Sequence, residues 1–284
     1  MTTIGVYDSG VGGLSVLRAL LAEIPEVRFV YVADSAHAPY GARPPADVVD
    51  RALHIGQRLR REHAIDALVV ACNTATAHAI DALRGQHPAL PVVGVEPALK
   101  PAAALTRTGH VGVLATQGTV HSGRFRRLRV SVEADATRPL HFSVQACEGL
   151  ADAIERFDET AVRQRCQHHL AALYEAGKGL PAIDTLVLGC THYPFAADAL
   201  NDLCGPAVTL VETGAPVARR TRSVLSLGPL ACATSAPPPV LLLSSGPGSG
   251  LVRAAERWLD RSAVVGAWCA SPSAGQPAGW AMQT

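Results

Sequence analysis

The chain has 284 residues, 48% of them hydrophobic and 17% charged, with a formal net charge of +1. That is apolar material for one large or two ordinary domains, and the near-neutral balance excludes a basic nucleic-acid footprint or an electrostatic membrane anchor. No apolar run approaches the roughly 20 residues that span a bilayer. Met1-Thr2-Thr3-Ile4 enters a strand-like run without a basic and apolar leader, so a cytoplasmic protein is expected.

Ile4 to Tyr7 reads as a short strand, followed by the turn Asp8-Ser9-Gly10-Val11-Gly12-Gly13. Leu14, Leu17, Leu20, Leu21 and Ile24 recur at helical spacing, and Pro25 ends that helix. Val27 to Val32 is a second strand, and Asp34 to Arg43 a polar loop containing Pro39-Tyr40-Gly41. Pro44-Pro45 opens a helix with Val48, Ala52, Ile55 and Leu59 on one face, since proline is tolerated in a first turn. A strand runs to Cys72, a helix spans Thr74 to Leu83, and Pro91 to Val95 is the next strand.

The second half restarts alike, with Val111-Gly112-Val113-Leu114-Ala115-Thr116 echoing Ile4 to Ser9. A helix over Ser122 to Leu128, a strand over His141 to Ala146 and helices over Gly149 to Glu155 and Thr160 to Tyr174 precede a strand to Cys190. His168 and His169 fall on what reads as a solvated helix face and are given no role. A strand at Thr209 to Val211, a helix at Ala215 to Leu225, a strand at Val240 to Leu243, a helix at Ser249 to Leu259 and a strand at Val264 to Ala267 follow. Pro237-Pro238-Pro239 is a stiff connector, and residues 271–284 read as a frayed tail. Strands alternating with helices predict an α/β protein of two similar domains with mainly parallel sheets, related by a pseudo-twofold. The expected division is 1–97 plus 209–270 against 98–208.

Two stretches organise this pattern. Asp66-Ala67-Leu68-Val69-Val70-Ala71-Cys72-Asn73-Thr74 and Asp184-Thr185-Leu186-Val187-Leu188-Gly189-Cys190-Thr191-His192 are unalternating apolar runs, as strands covered on both faces should be. Each ends in a thiol, at the strand end where open α/β sheets place ligand-binding groups. The seven cysteines form no C-x-x-C pair, and Cys147, Cys166, Cys204, Cys232 and Cys269 read as small buried hydrophobes. Each strand-end thiol precedes a predicted helix, whose dipole would favour a thiolate.

Four chemistries compete for Cys72 and Cys190. A redox pair needs bonding contact and usually C-x-x-C. A zinc site could use Cys72, Cys190 and His192, at a spacing unlike common ligand patterns. One nucleophilic cysteine with His192 as base leaves the other thiol idle. A fourth reading gives each thiol one face of a carbon acid: one takes the proton as thiolate, and the other supplies a proton opposite. That reaction is racemisation or epimerisation, and a thiol pKa near 8.5 suits it. Pyridoxal phosphate would need a Schiff-base lysine, and the chain has only Lys100 and Lys178. Gly10, Gly12 and Gly13, like Gly246, Gly248 and Gly250, do not fit a nucleotide motif and read as tight turns. No cofactor and no metal are expected.

Together Asp8-Ser9-Gly10-Val11-Gly12-Gly13-Leu14-Ser15-Val16, Pro39-Tyr40-Gly41, Ala71-Cys72-Asn73-Thr74-Ala75 and Gly189-Cys190-Thr191-His192-Tyr193-Pro194 resemble bacterial glutamate racemases, in order and up to about Leu259. The resemblance implies two α/β domains with the site in the cleft between them, no cofactor, and a supply of D-glutamate for peptidoglycan. It implies that Cys72 and Cys190 are the acid/base thiols, with Asp8 beside Cys72 and His192 beside Cys190. Ser9, Tyr40, Gly41, Asn73, Thr74 and Thr191 match substrate-contacting positions, as Asp8 and His192 also do. Glu155 matches a glutamate on the histidine side, in a segment that carries Glu148 and Asp152 where proline is frequent. Glu212-Thr213-Gly214 stands where Asp-Ser/Thr-Gly is usual. The expected partners are glutamate and at most a second copy of the chain. An aspartate or hydantoin racemase is the alternative within the family. An inactive amino-acid-binding module is the alternative outside it; its signature would be loss of a thiol, and both are present.

Overall fold

A computed structural model describes residues 1–227, 238–259 and 263–268. Cys232, Cys269, Pro237 and the segment 271–284 lie outside the described residues. The first half carries β1 (Thr3–Asp8), α1 (Leu14–Glu23), β2 (Arg28–Ala33), α2 (Pro45–His63), β3 (Ala67–Val70), α3 (Asn73–Gln86) and β4 (Val92–Gly94). Next come α4 (Leu99–Leu105), β5 (His110–Ala115), α5 (Gln117–Val120), α6 (Gly123–Ala134), β6 (His141–Ala146), α7 (Leu150–Glu155), α8 (Glu159–Ala176), β7 (Thr185–Gly189), α9 (Ala197–Cys204) and β8 (Thr209–Val211). The chain closes with α10 (Gly214–Val224), β9 (Val240–Ser244), α11 (Gly248–Trp258) and β10 (Ala263–Ala267).

Two sheets result, in the orders β10-β9-β2-β1-β3-β4 and β6-β5-β7-β8, and every pairing is parallel. The orders β2-β1-β3-β4 and β6-β5-β7-β8 are the same four-strand unit, so β3 and β7 hold equivalent places. This is the expected fold of two like α/β domains. One boundary moves: Thr209–Val211, assigned from sequence to the first domain, pairs with Thr185–Val187 in the second sheet. The return to the first domain therefore begins at Glu212, which is exposed at the crossing into α10.

The first sheet is covered on one face by α1, α10 and α11, and on the other by α2 and α3. Val48, Ala52, Ile55 and Leu59 are the buried stripe of α2, with Pro45 in its first turn and Ala64 in a left-handed conformation at its end. The aspartate shared by the two echoing strands has a structural use. Asp66 Oδ2 accepts from the Thr3 amide at 2.8 Å. Asp184 accepts from the Thr106 hydroxyl at 2.6 Å and from the Arg107 and Thr108 amides at 2.8 and 3.1 Å. Burial pushes the Asp184 carboxyl up, but these donors outweigh it and hold the pKa at about 2. Each aspartate so ties the start of its strand to the neighbouring chain. His169 corrects the solvated-helix reading: it is buried, with Nε2 3.0 Å from the Glu148 carbonyl.

Candidate active site

β1 and β3 are neighbours at the point where the strand order reverses, so their carboxyl ends open a crevice rather than meeting a crossover. Cys72 follows β3 and is the N-cap of α3, its sulfur accepting from the Ala75 amide at 3.5 Å. The thiol points to the Ser9 hydroxyl at 3.9 Å. Asp8 ends β1 and is fully buried; Oδ1 accepts from the Gly10 amide at 2.8 Å and Oδ2 from the Thr191 hydroxyl at 3.1 Å. Burial raises its pKa to about 6, with Glu155 adding to the rise and His192, the Gly10 amide and Thr191 opposing it. Burial, and then the Asp8 charge, push the Cys72 thiol far above its ordinary value despite the Ala75 donor. The helix dipole expected to favour a Cys72 thiolate is therefore outweighed.

Cys190 follows β7, but no α-helix begins there. Thr191 and His192 lead into a short 3-10 turn, Tyr193–Ala196, and α9 starts only at Ala197. The helix-dipole expectation fails on this side, and a histidine stands in its place. His192 Nδ1 lies 3.7 Å from Cys190 Sγ, and Nε2 lies 2.8 Å from Glu155 Oε1. Burial opposes a charge on His192, yet its bonds to Cys190 and Glu155 outweigh burial and hold its pKa well above the usual value. Glu155, at the end of α7, also accepts from the Val11 amide at 2.7 Å, across the seam between the sheets. The Ser15 hydroxyl donates to the Thr191 carbonyl at 2.7 Å, and Thr74 and Thr116 hydroxyls meet at 2.9 Å across the same seam.

Gly12 and Gly13 lie in the expected turn after β1, and the glycines of this loop also serve close approach. Gly10, Gly12 and Gly13 do not have positive φ. A Cβ on Gly10 would overlap the Glu155 carboxylate, and one on Gly12 the His192 ring. The loop after β1 lacks side chains where Glu155 and His192 of the second domain come in.

These groups surround a cavity of about 370 Å³ lined by Ser9, Tyr40, Gly41, Cys72, Asn73, Thr74, Glu155, Cys190, Thr191 and His192 among others. Of the residues expected from sequence, Asp8 alone is not in the wall; it is joined to it through Thr191. Tyr40 lines the cavity, but its hydroxyl is committed to Asp34 Oδ2 at 2.6 Å, and Arg51 grips the same carboxylate at 2.8 and 3.0 Å. That network, which props the Tyr40-Gly41 turn against α2, has no signal in the sequence. Thr116, Gln117, Cys147, Glu148 and Asp152 also line the cavity and were missed. The echo of Ile4 to Ser9 in Val111 to Thr116 could have found Thr116. Both polar side-chain atoms of Asn73 are buried without a partner. Among the described lining residues none is lysine or arginine, so the His192 imidazole, hydroxyls, the Asn73 amide and backbone N–H groups are what an anionic ligand would meet.

Two equivalent strands end in thiols that wall one cavity, with Ser9 beside Cys72 and His192 beside Cys190, the arrangement of an enzyme site. Residues 8–220 match the model of the Asp/Glu/hydantoin racemase family, and the chain belongs to that family. Curated glutamate racemases of Methylococcus capsulatus and Cupriavidus pinatubonensis are each 46% identical, over 86% of this chain and 87% of the former and over 83% of both chains for the latter. Among solved structures, a glutamate racemase of Bacillus anthracis is 31% identical with a TM-score of 0.81, covering 95% of this chain and 97% of its own. The Escherichia coli glutamate racemase, in complex with L-glutamate and the activator UDP-MurNAc-ala, is 31% identical with a TM-score of 0.77, over 94% and 98% of the two chains. The matches support glutamate racemase function, an isomerase activity, and do not favour the other substrates considered.

Proposed function

We propose that the chain interconverts L- and D-glutamate by proton transfer between two thiols, without a cofactor. The observation that carries this is the placement of Cys72 and Cys190, at equivalent strand ends, in the wall of one cavity. With L-glutamate, the Cys190 thiolate, next to His192, takes the Cα proton, and the Cys72 thiol delivers its proton to the opposite face. Cys190 is left as thiol and Cys72 as thiolate, the state from which D-glutamate reacts in reverse. Asp8 and the His192–Glu155 pair return each sulfur to its starting state by passing protons. The L-glutamate complex of the Escherichia coli relative favours that substrate. The product would serve peptidoglycan synthesis in the cytoplasm, a reading that rests on the family resemblance.

The Cys72 thiol sits far above neutrality and Asp8 at about 6, so a Cys72 thiolate needs donors of its own within the site. Polarimetry of the purified protein tests the activity. After dialysis against a chelator and treatment with hydroxylamine, rotation of L-glutamate should still decay toward zero, much faster than that of L-aspartate. Activity that is lost and then restored by a metal or pyridoxal phosphate would overturn the mechanism, and a preference for L-aspartate would overturn the substrate.

A further inference from the structure

The β1 strand carries a buried phenol that the mechanism above leaves unused. Tyr7 is the Cα partner of Val70 in β3, and its carbonyl accepts from the Ala71 amide at 2.8 Å, one residue before Cys72. Strand alternation puts Tyr7, Val70 and Cys72 on one face of the sheet, and all three belong to the core under α2 and α3. Tyr7 is fully buried, and its hydroxyl has no hydrogen-bond partner. The other fully buried tyrosines each have one: Tyr31 donates to the Gly10 carbonyl, Tyr40 to Asp34 and Tyr193 to the Cys147 carbonyl. An unpaired buried hydroxyl costs stability that phenylalanine, with the same ring, would not.

The negative groups near this phenol are few. A charge on Cys72 acts on it most strongly after burial itself, followed by Asp8 and Asp34. Asp34 is held by Arg51 and Tyr40, with His37 Nδ1 at 3.1 Å. Asp8 is held by the Gly10 amide and Thr191. The Cys72 sulfur, by contrast, has the Ala75 amide as donor and, as a thiol, gives its own proton toward Ser9. On ionisation it becomes an acceptor with room for more donors.

We propose that the Tyr7 hydroxyl is a supporting donor for Cys72, engaged when that sulfur carries its charge. The inference rests on the two-thiol reading above. Tyr7 is thus a positioning residue that acts through Cys72: it is unpaired in the thiol state, and it lowers the cost of the thiolate from which D-glutamate reacts.

The test is Tyr7→Phe. Circular dichroism should show an intact fold with equal or higher thermal stability, because an unpaired polar group has been removed. kcat/KM should fall about 10- to 100-fold, the effect of one hydrogen bond to a charged group. It must fall equally in both directions, as an equilibrium constant of unity requires. The specific signature is in pH: the acidic limb of kcat for D-glutamate should move up by about one to two pH units, with less movement for L-glutamate. Wild-type kinetics with an unmoved pH profile would overturn the proposal. So would a variant that fails to fold, which would make the phenol structural. Cys72→Ala assayed in parallel separates the two levels. Racemisation surviving in Cys72→Ala sinks the two-thiol reading itself, whereas an inactive Cys72→Ala beside an unaffected Tyr7→Phe sinks only the donor role.

Discussion

Replacing either Cys72 or Cys190 by alanine is expected to lower glutamate racemisation by at least about 10,000-fold with the fold retained, since positioned acid–base groups contribute on that scale and act as a unit. Cys72 and Cys190 are 5% and 6% exposed, and alanine removes only the sulfur from each. Each variant still keeps one complete half of the site. Cys72→Ala retains Cys190 with His192 and Glu155; Cys190→Ala retains Cys72 with Ser9 and Asp8. Each should still eliminate a β-leaving group from an analogue of the enantiomer its thiol faces: the L form for Cys190 and the D form for Cys72. Release of that group by the expected variant, and not by its counterpart, is the measurement. Near wild-type racemisation by either variant contradicts two-thiol chemistry.

Asp8→Asn should end useful turnover while stabilising the fold at neutral pH. The Asp8 carboxyl has a pKa of about 6 where the ordinary value is 3.8, chiefly through burial. Its folded-state pKa is raised, so the folded chain holds this proton more tightly than the unfolded chain between those values. Stability is therefore lost as pH rises from about 4 to about 6, and above that the charged, buried carboxylate costs about 3 kcal/mol. Asparagine removes the charge and can keep the bond from the Gly10 amide. Denaturant melts of the variant should exceed wild type by up to about 3 kcal/mol at pH 7 to 8, with the gap closing below about pH 4. In the proposed mechanism the same substitution removes the group that receives the Cys72 proton, so kcat should fall more than substrate affinity does. A variant with full kcat and a raised KM would mean that Asp8 holds substrate instead.

Most of the fold can be read in the sequence because its strands are unalternating apolar runs between helices whose buried stripes recur at helical spacing. His141 to Ala146 and Thr209 to Val211 are matched residue for residue, and the other strand ends shift by a residue or two. The two thiols are legible for the same reason: an echo of nine residues places them at like strand ends. What the sequence hides is set by tertiary contact. Sheet membership of the three-residue strand β8 depends on register with Thr185–Val187, not on its own residues. His169 is buried because the Glu148 backbone folds over it. The Asp34, Arg51 and Tyr40 network joins residues 17 and 6 positions apart through a loop. The glycines after β1 look like turn residues and nothing more until Glu155 and His192 are seen pressing against them.

The most direct measurement is the fate of deuterium in heavy water during the first turnovers. If Cys190 takes the Cα proton of L-glutamate and Cys72 delivers a different one to the other face, the D-glutamate formed carries solvent deuterium at Cα. The remaining L-glutamate stays unlabelled, because its proton can only return from the sulfur that took it. Starting from D-glutamate, the labels should be reversed. Mass spectrometry of the separated enantiomers, well before equilibrium, reads this out. Label confined to the product is the expected result. Label entering the unreacted substrate as fast as the product would mean that a single exchanging base serves both faces, and would contradict the two-thiol mechanism.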